Sequence, residues 1–333
     1  MASVTKICAT TLAIMQLYDQ GRLKLTDTVA KYIPWLRNTN KAKLTIHNIL
    51  LHQAGLVSYI PFYKETIDST GTPKAALYSK VITPLYTIPV ADSMYMLTSY
   101  QDTMYSRIAT SKVEANPKYV YSDNDFIFLG LVVEKISGLA LNQYVTQKLY
   151  TPLGLTATGY LPLQRFAAST IVPTETELIY RQQTLRGTVH DPGAAMLGGV
   201  AGHAGLFSTA SDLAIIMQMV LNGGSYNGVT FFKQSTVDLF TTYQSSISRR
   251  GYGFDKPEKD NDTRKEPYPS AFVSPLAFGH TGYTGTCVWA DPQQQLIYIF
   301  LSNRVHPSGG DNTKLIKMNI RGRIQDVIYK AIK

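Results

Sequence analysis

Cysteine is scarce: Cys8 and Cys287 are the only two in 333 residues. Two cannot build a disulfide framework, and neither sits in a Cys-x-x-Cys spacing suited to metal or redox chemistry. Both are expected as small buried apolar residues. No apolar run reaches the roughly 18 residues that a membrane span needs. A charged n-region followed by an apolar h-region is also missing, so the chain shows no signal-peptide pattern. Low-complexity tracts and short internal repeats are absent, which excludes a disordered chain and a solenoid. Charged residues make up only 17% of the chain, with a net charge of +9. The Lys and Arg residues are scattered, and local pairings such as Arg249-Arg250 are short. A mildly basic surface follows, compatible with acidic polymers such as cell-wall glycopeptides but without the basic stripe of a nucleic-acid site.

What is present is a globular composition, 44% hydrophobic, long enough for one large or two interleaved domains around a sizeable core. From Val4 to about Gln20, Ile7, Leu12, Ile14, Met15 and Leu17 predict a buried helix that Gly21 ends. "LTDTVAKYIPWL" predicts a short helix stopping before Pro34, and "LTIHNILLHQAGL" another, capped by Thr45. The stretch from Ser58 to Lys118, rich in Tyr, Pro and Thr, reads as loops and short helices whose tyrosines can wall a cleft. "DNDFIFLGLVVEKISG" and "LNQYVTQKLYTPLGL" return to helix. After about Gly187 the character changes. A glycine-rich turn precedes a helix capped by Thr209 or Ser211, and "TGTCVWADPQQQLIYIFLSN" predicts an antiparallel hairpin turning at Asp291-Pro292. An amphipathic helix from about Asn312 to Ile332 can cover that sheet. The class is mixed α+β: segments 1–20, 21–186 (mostly helical) and 187–333 (sheet and helix), packed together as one unit.

Ser3 and Lys6 are three residues apart, so on a helix they share a face and the ammonium can approach the hydroxyl. A serine hydroxyl becomes a useful nucleophile when a neighbouring base takes its proton, and a desolvated lysine can be that base or lower the pKa of one. Alone, the pair also fits a helix start with a solvated lysine. A second polar cluster, Tyr121, Ser122, Asp123 and Asn124 in "YVYSDNDFIFLG", stands just before a helix. A third, "HTGYTGT" from His280 to Thr286, leads into a strand, with glycines that let a substrate approach its edge. The pairs His190-Asp191 and His203 lie in apolar, glycine-rich surroundings without a compact zinc spacing, and are expected to make structural hydrogen bonds. His47 and His52 are likewise expected to be structural.

Taken in order, these elements resemble the Ser-x-x-Lys, Tyr-x-Asn or Ser-x-Asn, and Lys-Thr-Gly elements of serine β-lactamases and penicillin-binding proteins. Over nearly its whole length the chain is similar to the class C β-lactamase-related family of esterases and D,D-peptidases. "SVTK" matches the nucleophile helix, "YSDNDFIFLG" the second element and "HTGYTG" the third. The resemblance implies the β-lactamase fold, an antiparallel sheet flanked by helices, and acyl transfer through a serine ester, with no cofactor or metal. Carried over by position, Ser3 is the nucleophile, Tyr121 the base with its pKa lowered by Lys6, and the backbone N–H groups of Ser3 and Tyr283 the oxyanion hole. Asp123, Asn124, His280, Thr281, Gly282 and Tyr283 are expected to bind a small-molecule or peptidoglycan-fragment substrate. The family implies a periplasmic or cell-envelope setting.

The pattern departs from the family at two positions. Asp123 stands where the family has Asn, replacing an amide with an acceptor-only carboxylate whose expected partner is Lys6. A rival register instead makes Ser122 the proton relay and Asn124 the amide. His280 replaces a strand lysine and, near its ordinary pKa, holds a carboxylate less constantly. The fold normally supplies two strands before the nucleophile helix, and a chain end frays. The expectation is therefore that the chain is the C-terminal part of a longer protein, such as a fusion to a family 3 glycoside hydrolase, or has a misassigned start. A non-catalytic peptidoglycan-binding module and a metal-dependent hydrolase using His190 and His203 are the other readings.

Overall fold

The computed structural model describes residues 1–115, 118–307 and 309–332. Its core is built on two helices that pack together. The first runs from Lys6 through a π-helical turn (Lys6–Thr10) into an α-helix (Thr11–Asp19). Every residue from Val4 to Leu17 is buried, polar ones included. Because all sides of this segment face protein, its polar groups need internal partners. Thr10 donates to the Gly202 carbonyl at 2.7 Å, and Gln16 to the Lys148 carbonyl at 3.2 Å.

The second is the central helix, Asp123–Ser137. Ser122 caps it by accepting from the Asn124 N–H, and Asp123 and Asp125 in the first turn complement the helix dipole. Gly138, in the left-handed conformation (φ 76°), ends it. The apolar run between these signals lies almost wholly in the core. The glycine-rich loop 198–205 crosses this helix at Gly130 with no room to spare. A Cβ on Gly202 would sit 2.0 Å from the Phe126 carbonyl oxygen. Gly202→Ala is therefore expected to lower unfolding stability by about 2–3 kcal/mol, the cost of forcing backbone apart in a packed interior, read as a lower urea midpoint.

The C-terminal sheet has three antiparallel strands, with Cys287–Asp291 between Phe278–Thr281 and Leu296–Phe300. The Asp291 carboxylate makes the expected turn by accepting from the Gln293 N–H at 3.0 Å. One face packs on the Ala210–Leu221 helix, capped by Thr209. Against the other lies the Ile320–Ala331 helix, whose Tyr329 hydroxyl donates to Asp291 at 2.7 Å. The expected C-terminal helix is broken in two, Lys314–Lys317 and Ile320–Ala331, where Asn319 turns left-handed (φ 44°). Cys8 and Cys287 are free and buried, and burial pushes each thiol up to about 12.

The 58–118 stretch differs from its sequence reading. It holds a small antiparallel sheet of Tyr78–Ser79, Tyr86–Ala91 and Met94–Leu97, followed by the Tyr100–Thr110 helix. A bulged register and Pro89 within a strand break the alternation that would have revealed it. A two-stranded hairpin pairs Pro173–Glu177 with Gln183–Arg186, and the directly opposed Glu175 and Leu185 are buried.

Candidate active site

The first helix, the start of the central helix and the loop around His203 meet at one end of a cavity of about 740 Å³. Ser3 lines it just ahead of the helix. One turn on, Lys6 is fully buried, and its ammonium has an acceptor for each of its three N–H groups. These are Asp123 Oδ1 at 2.6 Å, Ser3 Oγ at 3.0 Å and the His203 carbonyl at 3.2 Å. Burial acts to lower the Lys6 pKa, but Asp123 and Tyr121 more than offset it and hold it above its ordinary value. Lys6 is thus a fully satisfied cation.

Tyr121 lines the cavity beside this pair, its ring centroid 4.9 Å from Lys6 Nζ. Its hydroxyl is buried with no aligned hydrogen-bond partner. The expected lowering of its pKa by Lys6 is present in sense but loses to burial, aided by Asp123, so the phenol stands above its ordinary value. Behind it, His52 stacks at 4.5 Å and its Nδ1 lies 2.7 Å from Asp125. Burial drives His52 well below and Asp125 well above their ordinary values.

Four of the expected binding residues lie elsewhere. Asn124 is buried and its amide donates to the Val57 carbonyl at 2.8 Å, as does the Ser122 hydroxyl at 2.7 Å, so both brace the helix start and neither lines the cavity. That arrangement favours the register that begins at Tyr121. His280 is buried behind Tyr121, ring centroids 5.8 Å apart, with Nδ1 2.7 Å from the Thr281 carbonyl. Burial first, and then the charge of Arg250, lower its pKa to about 3. The partly charged carboxylate-holder expected here is a neutral interior ring. Thr281 ends the strand next to Tyr268 and is absent from the cavity wall. Gly282 serves the fold, since a Cβ there would lie 2.6 Å from the Met1 carbonyl oxygen. Tyr283 does line the cavity, stacked under Arg304 at 4.1 Å.

The first residues of the given sequence are tied to the loop around Leu206 and to Thr286. The Met1 amino group donates to the Leu206 carbonyl at 2.8 Å, and the Met1 carbonyl accepts from Thr286 at 3.2 Å. Thr5 ties the same loop by accepting from the Leu206 N–H at 3.1 Å. These contacts hold Ser3 against the third element.

Several lining residues had no strong sequence signal. His203 supplies an acceptor to Lys6 across 197 positions, while its Nε2 lies 3.0 Å from Asp191, which also caps the Pro192–Met196 helix. The far wall is the 173–186 hairpin, carrying Glu175, Glu177 and Arg181. The one local mark of this wall is "TETELIYR", two acids alternating on a strand with an arginine in the turn that follows.

A family model described as Beta-lactamase matches residues 1–319. The chain is 33% identical, over its full length and 77% of the relative, to an Escherichia coli K12 protein named for D-alanyl-D-alanine carboxypeptidase activity. It is 34% identical to the N-acetylmuramyl-L-alanine amidase of Bacillus subtilis 168, over 92% of the chain and 68% of that relative. Among solved structures, a penicillin-binding protein homologue from Caulobacter crescentus superposes with a TM-score of 0.63 at 19% identity, covering 99% of this chain and 82% of the other. The hydrolase EstCE1 gives 0.63 at 18%, covering 96% and 83%. At these identities the two superpositions establish the fold.

Proposed function

The chain belongs to the beta-lactamase family, and from that premise we propose that it is an acyl-serine hydrolase acting on an amide or ester through Ser3. The observation that carries this reading is the three-way coordination of Lys6. With all three ammonium hydrogens committed to Asp123, Ser3 and His203, Lys6 serves as a fixed charge and donor. Ser3 Oγ accepts from Lys6, which leaves its own hydrogen free to turn to the unpartnered Tyr121 oxygen nearby.

In the forward step, with Tyr121 in its ionised phenolate form, Ser3 Oγ bonds to the substrate carbonyl carbon as its proton passes to the phenolate oxygen. Tyr121 returns that proton to the leaving amine or alcohol as the scissile bond breaks, and a water then takes the acyl group from Ser3 by the reverse transfer. Neither the Ser3 nor the Tyr283 N–H is bonded to a backbone carbonyl among the described turn and loop contacts, and both residues line the cavity. Together they form the pair of donors for the developing oxyanion. A small molecule or a peptidoglycan fragment fits the cavity and the family's named activities.

Intact-mass measurement tests the proposal, after incubation with a fluorophosphonate and, separately, with a penicillin. A single adduct on the wild type and none on Ser3→Ala is the expected result. A penicillin adduct that persists points to a peptidase-like site, one that turns over to a lactamase, and none beside a fluorophosphonate adduct to an esterase. No adduct of either kind on folded protein would overturn the catalytic reading and leave a binding module.

A further inference from the structure

The cavity has an electrostatic character opposite to that of the whole chain. In a protein of net charge +9, the cavity lining includes the carboxylates Asp123, Glu175, Glu177, Asp191 and Asp311. Three of them are matched. Asp123 meets Lys6, Asp191 meets His203 and the Ala194 N–H, and Glu177 accepts from the N–H groups that follow it in the turn.

Glu175 is different. It is 4% exposed, and only Oε1 has a hydrogen bond, from Arg181 at 3.2 Å. Oε2 has no aligned one; its nearest polar neighbour is Nε2 of His190, at the long distance of 3.5 Å. Burial lowers the His190 pKa to about 4, so this ring is neutral near pH 7 and supplies no charge. A carboxylate oxygen on a nearly buried side chain beside an open cavity, with only this one long neutral contact, has lone-pair capacity left for a donor from the cavity. Arg181, the one Lys or Arg among the described lining residues, is already engaged by Glu175 and by the carbonyls of Val189 at 2.8 Å and His190 at 2.7 Å. His280, in the position that resembles a carboxylate-holding lysine, is a buried neutral ring. A substrate carboxylate finds no free cation here, whereas a substrate ammonium finds an unmatched acceptor.

We propose that the substrate carries a protonated amine that donates to Glu175 Oε2, so that the site favours amino-bearing amides or esters over those ending in a free carboxylate. The proposal rests on the acyl-serine reading above and narrows its substrate class. The groups around Glu175 agree with it. Burial, then Glu177 and Asp191, push its pKa up to about 7 against the opposing pull of Arg181. An arriving ammonium adds the positive charge that favours the ionised form, and a charge-assisted hydrogen bond of this kind is strong where water is excluded.

The test is a charge series on the full chain. Two sets of esters are compared by kcat/KM, p-nitrophenyl esters varied in the acyl part and thioesters varied in the leaving part. Each set ends in an ammonium, a neutral isostere or a carboxylate. The expected result is a preference of about tenfold or more for the ammonium over the isostere in at least one set, with the carboxylate poorest. Glu175→Gln is expected to shrink that ratio about tenfold. Equal turnover of ammonium and isostere in both sets, or a preference for the carboxylate, overturns the proposal even if the variant does not fold. If Ser3 still takes the fluorophosphonate in that case, the acyl-serine reading stands and this one alone fails. No turnover in any arm and no adduct on Ser3 removes both.

Discussion

Lys6→Met is expected to reduce kcat/KM by about 10³-fold, within the range that proton-transfer machinery contributes, on protein that remains folded. Methionine has nearly the length of lysine and fits a fully buried slot, so packing is preserved. What disappears is the charge that opposes burial at Tyr121 and the donor to Ser3 Oγ. Asp123 is left without its partner, and breaking a buried ion pair on one side is strongly destabilising. Here the cost is softened because the Asp123 side chain is 24% exposed to the cavity. The double change Lys6→Met with Asp123→Asn removes both charges. It is expected to recover stability, read as a rise in the thermal midpoint over the single variant, while activity stays low. Recovery of activity along with stability would show that Lys6 only holds the fold together, and would withdraw its part in the chemistry.

The parts of the site that were legible in the sequence are those fixed locally. Ser3 and Lys6 are placed by one turn of helix, and Tyr121 and Asp123 by one helix start capped by Ser122. The fold class followed from helix and strand periods with clear caps, and from the Asp291 turn. Parity and long-range closure were the obstacles elsewhere. Successive residues of a strand point to opposite faces and this strand ends at Thr281, so membership of "HTGYTG" does not say which side chain reaches the cavity; His280 goes inward to Tyr121 and Arg250, and Tyr283, in the turn that follows, reaches the wall. Asn124 has a similar history: one residue beyond Asp123 on a helix, it turns to Val57. The His203 carbonyl and the Glu175 wall are set by backbone far away in sequence, and a carbonyl oxygen leaves no mark in residue identity.

The acylation rate on an uncharged ester is expected to climb with pH from 6 to 9, approaching tenfold per unit, without levelling near 6.5. The uncharged substrate keeps the titration of Glu175, near 7, out of the measurement. The active form requires Tyr121 to accept a proton, and its phenol stands above the ordinary value because burial outweighs Lys6. Below that pKa the ionised fraction grows tenfold with each pH unit, so the rate rises with pH. His280, lowered to about 3, and His52, well below its usual range, are already neutral at pH 6 and introduce no break. Tyr121→Phe is expected to lower the rate by about 10²–10³-fold and to flatten the profile. A plateau near 6.5 in the wild type, or a Phe variant that keeps its slope, would transfer the base role to a histidine. Burial is the main reason that the base stays protonated at neutral pH, and Asp123, where the resembled motif carries an amide, adds to it by opposing at 2.6 Å from Lys6 the ammonium's acidifying effect on Tyr121.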